Sequence, residues 1–405
     1  MIEKDRDLTW RRVTRRQLLK AGGAALLLVP AAGGLDALLA ACGGTSTGGT
    51  TSGGRGPDPK AALQQLIAGK VYSTGPHGEQ AASAKDITLT ADEIAKVKAM
   101  NATAAICLHY GGNDWSTAQV EGQKARMAEL GIALLTVTDA NFKADKQVSD
   151  IETVLVRKPS IIISIPTDPV ATAATFKKAA DQGVKLVFMD NVPNGMTAGK
   201  DYISDVSADN YGNGVAAGYI MADILNKAGK VGTVFHAADF FVTKERYNGF
   251  KETVTGNYPD IKIVEEQGIS GPDFAGDAQK AAAAMLTKHP DLNAIWAVWD
   301  VPAQGVVAAA RAANRKDVAV ITEDLGLAAA VSIASKDYIK GLGAQRPYDQ
   351  GVTEVNLAAY GLLGKPAPAY VALNALPVTR SNVLDAWNQV YHAQPPADLQ
   401  TAFNK

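Results

Sequence analysis

Acidic side chains recur in this sequence where apolar segments end. Three apolar runs finish at Asp190, Asp300 and Asp324. A sugar hydroxyl is both a hydrogen-bond donor and an acceptor, so carboxylates and amides suit it, and charge-assisted bonds are the stronger ones. The apolar C–H face of a sugar ring packs on aromatic side chains, which are large and rigid. These residue types therefore indicate a site for a polyhydroxylated small molecule.

The candidate ligand-binding residues lie in or beside predicted loops that follow strands. They are Tyr110, Asn113, Asp114, Trp115, Asp190, Asn191, Arg246, Trp299, Asp300, Asp324 and Gln345. Each one also has a simpler explanation. Residues 294–298 predict a strand, and Pro302 suits the first turn of the helix that follows. Asp300 could therefore be simply the N-cap of that helix, with no role in binding. Trp299 could belong to the core. The recurrence of such residues at equivalent positions favours a binding site.

These residues are carried by alternating predicted strands and helices over residues 102–345. Continuous apolar runs predict buried parallel strands, and repeated βα units predict parallel sheets with right-handed crossovers. The units fall into two sets of similar size, before and after about residue 207. The two sets could be successive domains or could face each other across a cleft. Only the second arrangement brings the acidic strand ends together, at the sheet edge where such folds bind ligands.

Composition excludes several other functions. The 405 residues are 47% hydrophobic and 20% charged, with a formal net charge of −1, which gives no support for nucleic-acid binding. The five histidines lack metal-ligand spacing, and neither a nucleophile elbow nor a phosphate-binding loop occurs. We therefore expect no metal, no cofactor and no enzyme. Acid–base catalysis by paired aspartates is the remaining catalytic alternative.

The first 41 residues have the organisation of an export signal. A basic region precedes the short apolar run 21–30. Residues 14–20, TRRQLLK, resemble a twin-arginine signal, with a general secretory signal as the alternative. Residues 39–42, LAAC, resemble a bacterial lipobox, which implies lipidation of Cys42; an ordinary signal peptide is the alternative. The other cysteine, Cys107, lies in an apolar run and is expected in the core.

Two segments separate the signal from the alternating units. Residues 42–56 are rich in Gly, Ser and Thr and predict a flexible linker. Residues 57–101 contain two helical patterns, over 60–68 and 90–100, and the second begins with a capping-box sequence. We expect this extension to pack on the first set of βα units.

Seven short motifs occur in a fixed order between residues 102 and 377. They are NDW at 113–115, MD at 189–190, SADNYGNG at 207–214, RYNGF at 246–250, WD…G at 299–305, EDLG at 323–326 and QRP…G at 345–351. In this order they resemble the motifs of the type I periplasmic sugar-binding proteins, the ribose-binding-like solute receptors of ABC importers.

The resemblance implies an α/β fold of two Rossmann-like lobes with parallel sheets, joined by three crossover segments. The N-terminal lobe would contain residues 57–207 and 346–366, and the C-terminal lobe 208–345 and 367–405. The crossovers would lie near 204–210, 344–348 and 364–370. The lobes would close on a ligand by a hinge motion.

The resemblance also implies a function outside the cytoplasm, in the periplasm or on the outer face of the cytoplasmic membrane. The protein would be a monomer, anchored to the membrane through lipidated Cys42, that captures a sugar or polyol and delivers it to ABC permease subunits. The alternative is a receptor that presents the bound ligand to a membrane sensor. Repressors of the same fold bind DNA, but an exported chain would not meet nucleic acid.

Four departures from the family pattern bear on the choice of ligand. Trp299 replaces an asparagine, Ile165 a polar residue, Asn191 an arginine and Ala208 a serine. An unpaired ligand hydroxyl in a buried site is costly enough to reject that ligand. We therefore expect ribose itself to bind poorly, and a different pentose, hexose, polyol or sugar derivative to bind better.

Overall fold

The computed structural model describes residues 54–405, which form two α/β lobes. The predicted fold class is confirmed. The expected export signal, Cys42 and residues 42–53 of the expected linker lie outside the described residues.

The sheet of the N-terminal lobe is parallel throughout. In spatial order its strands are β1 (Ala82–Ser83), β12 (Tyr370–Leu373), β6 (Ser204–Ala208), β5 (Lys185–Met189), β4 (Ile161–Ser164), β2 (Thr103–Leu108) and β3 (Ala133–Asp139). The central strands are fully buried because helices cover both faces of the sheet, which explains their continuous apolar sequences.

The sheet of the C-terminal lobe differs at one edge. In spatial order its strands are β13 (Leu376–Thr379), β11 (Ile339–Ala344), β10 (Ala319–Glu323), β9 (Ala294–Ala297), β7 (Gly229–His236) and β8 (Ile261–Ile269). The strands are parallel except β13, which runs antiparallel to β11. Mixed edges of this kind are common in sheets that are otherwise parallel.

Helices flank both sheets. They are α1 (Pro59–Ile67), α2 (Ala91–Ala99), α3 (Asp114–Glu129), α4 (Ala144–Val156), α5 (Ala173–Asp181), α6 (Asn210–Ile224), α7 (Phe241–Asn257), α8 (Phe274–Lys288), α9 (Asp300–Ala312), α10 (Leu327–Ala334), α11 (Pro347–Leu363), α12 (Val383–Tyr391) and α13 (Ala397–Phe403). Helix α11 packs against α3 in the N-terminal lobe, whereas α12 and α13 pack on α10 in the C-terminal lobe.

The chain passes between the lobes at the ends of β6, β11 and β12. The boundary expected at residue 366 is wrong, because β12 pairs with β6 in the N-terminal sheet, with Val371 opposite Val206. The last crossover is therefore the short segment 374–375, and not 364–370. A buried apolar strand suits either sheet, so the sequence of β12 does not say which one it joins.

The N-terminal extension touches both lobes, contrary to the expectation that it packs on the first. Leu63 and Leu66 of α1 enter an apolar cluster with residues of α6 in the C-terminal lobe. Even the end of the expected linker is docked there, since Arg55 pairs with Asp260 at 3.3 Å. The chain then crosses to the N-terminal lobe, where β1 pairs with β12 and α2 packs on α11.

We call residues 70–81 of this extension the hinge strap. Within it, the backbone N–H groups of Tyr72 and Ser73 each donate to the carboxylate of Asp209 at 2.9 Å. The Ser73 hydroxyl donates to the same carboxylate at 2.9 Å and accepts from the N–H of Tyr211. Because Asp209 lies in the first crossover, the strap is joined to the hinge itself.

Candidate functional site

The two lobes enclose a cavity at the carboxyl ends of their strands, with about 600 Å³ of empty space. All but two of the predicted site residues line it, namely Tyr110, Asn113, Trp115, Asp190, Arg246, Trp299, Asp300, Asp324 and Gln345. That these residues bind a ligand stays a prediction.

Asp190 and Asp324 occupy matching places in the two lobes. Each follows directly after a central strand, β5 or β10, and each has a positive φ, 59° and 63°. Aspartate tolerates this left-handed conformation better than most residues with a side chain, but it is still uncommon. The two matching backbone turns bring both carboxylates to the cavity wall.

Arg246 is the buried cation of the site. Its guanidinium, on α7, donates two hydrogen bonds to the carboxylate of Asp324, at 2.9 and 3.0 Å, and a third to the carbonyl of Val298 at 3.2 Å. Burial lowers the pKa of Arg246, but the attraction of Asp324, Glu323 and Asp190 outweighs it, so the net pKa is raised. Arg246 is therefore charged and engaged by the protein itself.

A continuous hydrogen-bonded chain joins the two strand-end aspartates through the first crossover. Asp190 accepts from the hydroxyl of Ser207 at 2.6 Å, and Ser207 accepts from the amide of Asn210 at 2.9 Å. The carbonyl oxygen of Asn210 then accepts from Arg246 at 3.2 Å, and Arg246 binds Asp324. Asn210 holds the network together although it was not predicted as a site residue. Its position in the SADNYGNG motif is the feature of the sequence that could have identified it.

Asp190 is almost completely buried. One carboxylate oxygen accepts from Ser207 and, at 3.3 Å, from Gln350, while no bond from the described residues reaches the other. Burial raises its pKa to about 6, against the opposing effect of these donors and of Arg246. Ionised Asp190 therefore retains an unused acceptor at the cavity wall.

Asp300 is the first residue of α9, with Trp299 as the extended N-cap residue. The helix thus begins two residues earlier than expected, and Asp300 does not cap it. The remaining space near its carboxylate is narrow, because a Cβ at Gly326 would lie 1.9 Å from one of its oxygens. Burial, with repulsion from Asp324 and Asp114, raises the pKa of Asp300 to about 8.

Aromatic rings from both lobes surround these polar groups. The rings of His109 and Phe240 stack across the lobes with centroids 5.6 Å apart. Phe142 of the N-terminal lobe contacts Phe274 of the C-terminal lobe, and Phe274 in turn contacts Trp299 at 4.9 Å. Burial lowers the pKa of His109 to about 3 and also lowers the pKa of His236. Both histidines are therefore neutral at neutral pH.

Prediction from the sequence missed several of the lining residues. These are His109, Phe142, His236, Val242 and Thr243. His109 and His236 were detectable as the first polar residues after apolar strands. Phe142 and Val242 gave no such signal, because their sequences do not distinguish a cavity wall from the core.

Two predicted residues are not at the cavity. The carboxylate of Asp114 accepts from the backbone N–H of Leu327 at 2.7 Å and so joins α3 to the start of α10 in the other lobe. The amide of Asn191 donates to the carbonyl of Pro166 at 3.0 Å and supports a neighbouring loop. Adjacent residues point in different directions after a strand, so Asp190 faces the cavity and Asn191 does not.

Polar contacts also hold the lobes together at the edge of the cavity. The indole N–H of Trp115 donates to the side-chain carbonyl of Gln345 at 2.5 Å. On the rim, the ring of His392 stacks on Tyr348 and bonds to Asp349 at 2.7 Å. The side chain of Asn113 also caps α3, accepting from the N–H of Ser116 at 2.8 Å.

Residues 54–405 contain no cluster of three or more His, Cys, Asp or Glu side chains suited to holding a metal ion. Within the same range, no helix has both the length and the hydrophobicity required to cross a bilayer.

Comparison with known proteins gives a single family. The model described as "Periplasmic binding protein domain" matches residues 104–366, more than half of the chain. The D-ribose/D-allose-binding protein of Pseudomonas aeruginosa is 32% identical over 208 residues, which are 50% of this chain and 64% of that protein. This chain therefore spans just under two thirds of that relative. The ribose import binding protein of Salmonella typhimurium is 27% identical over 246 residues, 60% of this chain and 77% of the relative.

Solved structures agree in fold. An arabinose-binding protein from Geobacillus stearothermophilus aligns with a TM-score of 0.61 and 26% identity, over 70% of this chain and 98% of that one. A solute-binding protein of an ABC transporter from Mycobacterium smegmatis, with bound glycerol, aligns with a TM-score of 0.64 and 26% identity, over 73% and 99%.

Proposed function

This chain belongs to the periplasmic binding protein family, and from that premise we propose that it is an extracytoplasmic receptor that captures a sugar or polyol between its lobes and delivers it to an ABC importer. The observation that carries the proposal is the cavity itself. Carboxylates, a guanidinium, amides and aromatic rings from both lobes converge on one space between them. Such a set of groups serves the hydroxyls and the apolar faces of a sugar together.

The roles of the residues follow from their chemistry. Asp190 and Asp324 accept from ligand hydroxyls, and Arg246 donates to ligand oxygens while holding Asp324 in place. Trp299 and Tyr110 pack on the ligand's carbon atoms. A ligand held by both lobes stabilises the closed arrangement, because the open lobes offer it only half of these contacts.

Cellular placement is part of the same proposal. Residues 1–41 direct export, and Cys42 carries lipid that anchors the protein at the outer face of the cytoplasmic membrane or in the periplasm. The protein acts as a monomer and presents its closed form to permease subunits. Two relatives are named as import binding proteins, for ribose and for D-apiose, which supports the importer partner.

Ligand binding is tested first, with the full chain purified in mild detergent. Calorimetric titration and thermal unfolding would be run with pentoses including ribose, hexoses and polyols. A ligand present at about 100 times its Kd adds about 2.7 kcal/mol to the free energy of unfolding, a shift of several degrees. We expect at least one sugar or polyol to give this shift, and ribose to give a smaller one. No binding across the panel would contradict the proposed function.

The site is tested by a pair of isosteric variants. Asp190→Asn removes a buried acceptor at the cavity wall, and we expect about tenfold weaker binding of the best ligand. Asp239→Asn is the matched control, because this carboxylate is exposed and pairs only with Lys244 on the surface. Equal affinities for the two variants would exclude Asp190 from the site.

The partner is tested in membranes. A photo-crosslinker placed on the exposed side chain of Lys244, near the cleft rim, should capture a permease subunit only when the ligand is present. Capture of a sensor kinase instead would favour the sensory alternative.

A further inference from the structure

The cavity carries an excess of acidic groups. Among its lining residues in the described range, the carboxylates are Asp190, Asp300 and Asp324, and the one cation is Arg246. No lysine lines it, and the two histidines are neutral because burial lowers their pKa values. The only guanidinium is already bonded to Asp324 through both of its terminal nitrogens. The cavity wall thus carries more acidic than basic side chains.

Asp300 is the carboxylate with the least support. Its donor within the protein is the backbone N–H of Val301, at the start of α9. No side-chain donor in residues 54–405 bonds to it, whereas Asp324 has Arg246 and Asp190 has Ser207. Its acidic neighbours Asp114 and Asp324 repel its charge. Isolated charges in low dielectric are strongly disfavoured, so this position requires a proton or a cation.

Aromatic rings line the same space. Trp115, Tyr110, Phe142, Phe240 and Trp299 all contribute to the wall. Aromatic faces carry negative potential, and they attract ammonium groups at close range, more strongly when water is excluded. Rings alone would equally suit the C–H face of a neutral sugar. The combination of rings with uncompensated carboxylates favours a ligand that brings positive charge.

We propose that the solute is a sugar or polyol that bears a protonated amine, and that Asp300 receives this ammonium through a charge-assisted hydrogen bond. The inference rests on the proposed function, since it names the class of solute for the same cavity. The hydroxyls of the ligand bond to Asp190 and to the Arg246–Asp324 pair. Its ammonium supplies the charge that the protein lacks, with the rings of the wall around it.

Proton linkage follows from this assignment. The groups facing Asp300 are Asp114 of α3, Asp324 after β10, Arg246 of α7, Tyr110 and Tyr391. The acids dominate, and with burial they raise the pKa of Asp300 to about 8, so the empty site holds a proton near neutral pH. An arriving ammonium favours the ionised carboxylate and expels that proton. A neutral sugar has no such effect.

The test uses matched pairs of ligands with the full-length protein. D-Glucosamine would be compared with D-glucose, D-galactosamine with D-galactose, D-mannosamine with D-mannose, and 1-amino-1-deoxy-sorbitol with sorbitol, by calorimetric titration at pH 7. We expect the tightest ligand of the panel to be an amine, with affinity at least about tenfold above its neutral partner. Its binding should release protons, seen as an enthalpy that differs between buffers of different ionisation enthalpy.

A variant tests the residue. Asp300→Asn should reduce the preference for the amine over its neutral partner by about tenfold. Asp239→Asn, at the exposed surface, should leave the preference unchanged. If Asp300→Asn does not fold, the proton release of the unaltered protein still tests the inference.

The outcomes separate the inference from the proposed function. If a neutral sugar binds most tightly and no protons are released, the inference is wrong and the receptor function stands. If neither amines nor neutral compounds bind, both are contradicted. If the amine is preferred but Asp300→Asn keeps that preference, the assignment to Asp300 is overturned.

Discussion

Two carboxylates, the buried Asp209 at the hinge and the partly exposed Asp300 in the cleft, differ in the hydrogen bonds that the protein gives them. Asp209 accepts from the N–H groups of Tyr72, Ser73 and Gly212 and from the Ser73 hydroxyl. In residues 54–405, no side chain donates to Asp300 at the cavity wall, and the nearby N–H of Val301 lowers its pKa against the effect of burial. Every buried polar group requires partners. Asp209 therefore belongs to the framework of the hinge, whereas Asp300 keeps unused acceptor capacity at the cavity wall.

The two regions also differ in the segments that supply the hydrogen-bond donors. The donors to Asp209 come from two distant segments, the hinge strap and the start of α6, so saturating it also joins the extension to the crossover. In the cleft, Asp324 is supplied by one side chain, Arg246. The stability of the hinge is therefore spread over several bonds, and the electrostatics of the cleft depend on a single cation.

The largest effect is expected for Arg246→Met. The change leaves Asp324, and the fully buried Glu323 behind it, without their counter-ion. Breaking a buried ion pair from one side typically costs 3–5 kcal/mol, and we expect a loss of about 3 kcal/mol in the free energy of unfolding. Urea unfolding measures this loss. A loss below about 1 kcal/mol would mean that the cleft acids are neutral without Arg246.

Asp209→Ala should come next. It leaves three buried N–H groups at the hinge without an acceptor, and we expect it to cost about 2 kcal/mol. Because this carboxylate faces the framework and not the cavity, ligand affinity should change less than in Asp190→Asn. Urea unfolding and calorimetric titration of the same preparation separate the two effects. A large loss of ligand affinity with unchanged stability would show that Asp209 serves the binding site and not the framework.

Ser73→Ala tests one bond of the hinge network. Its hydroxyl donates to Asp209 and accepts from the N–H of Tyr211, and we expect its removal to cost about 1 kcal/mol, less than loss of the whole carboxylate. A matched control is Ser335→Ala, since that hydroxyl only bonds carbonyls of its own helix, α10. The two variants should therefore differ in thermal stability. Equal melting temperatures would contradict a role for the strap at the hinge.

Asp300→Asn should change stability in the opposite direction from the other variants, and only at pH values above the pKa of an unfolded aspartate. Burial and nearby acids raise the pKa of Asp300 to about 8. The folded state thus binds this proton more tightly than the unfolded state, whose aspartates titrate near about 3.9. The stability that this tightly bound proton gives the folded state is complete below the pKa of the unfolded state. It is lost as the pH rises through the pKa of the folded state.

Asparagine does not titrate, so the variant should be more stable than the parent at pH 8, with little difference at pH 4. Thermal unfolding of the unliganded proteins between these pH values measures the difference. If the stabilities of the variant and the parent change in parallel with pH, Asp300 has partners in the folded protein just as Asp209 does.

The sequence was most informative where chain direction alone fixes position. Residues such as Tyr110, Trp299 and Asp324 follow parallel strands, and the ends of parallel strands share one edge, so their arrival at one cavity was predictable. The sequence was less informative about the direction in which each side chain points. Asp114 and Asn191 follow strands just as closely, yet their side chains are committed to Leu327 and Pro166.

The sequence also did not predict which distant segments of the chain pack against each other. The apolar strand β12 was assigned to the wrong lobe, and α1, expected on the N-terminal lobe, packs on α6 of the C-terminal lobe. Each segment has an apolar surface that several partners could cover. The choice between partners depends on shape and on hydrogen bonds with residues more than a hundred positions away.

The sequence by itself determined the repeated βα units, the acidic ends of their strands and the family motifs, because these depend on local periodicity and spacing. Tertiary structure alone decided which carboxylates meet donors. Asp209 and Asp300 both lie at the start of a helix after a strand, and Asp209 gains one local bond as the N-cap of α6. The difference arises because the hinge strap folds back onto one of them and leaves the other facing the cavity.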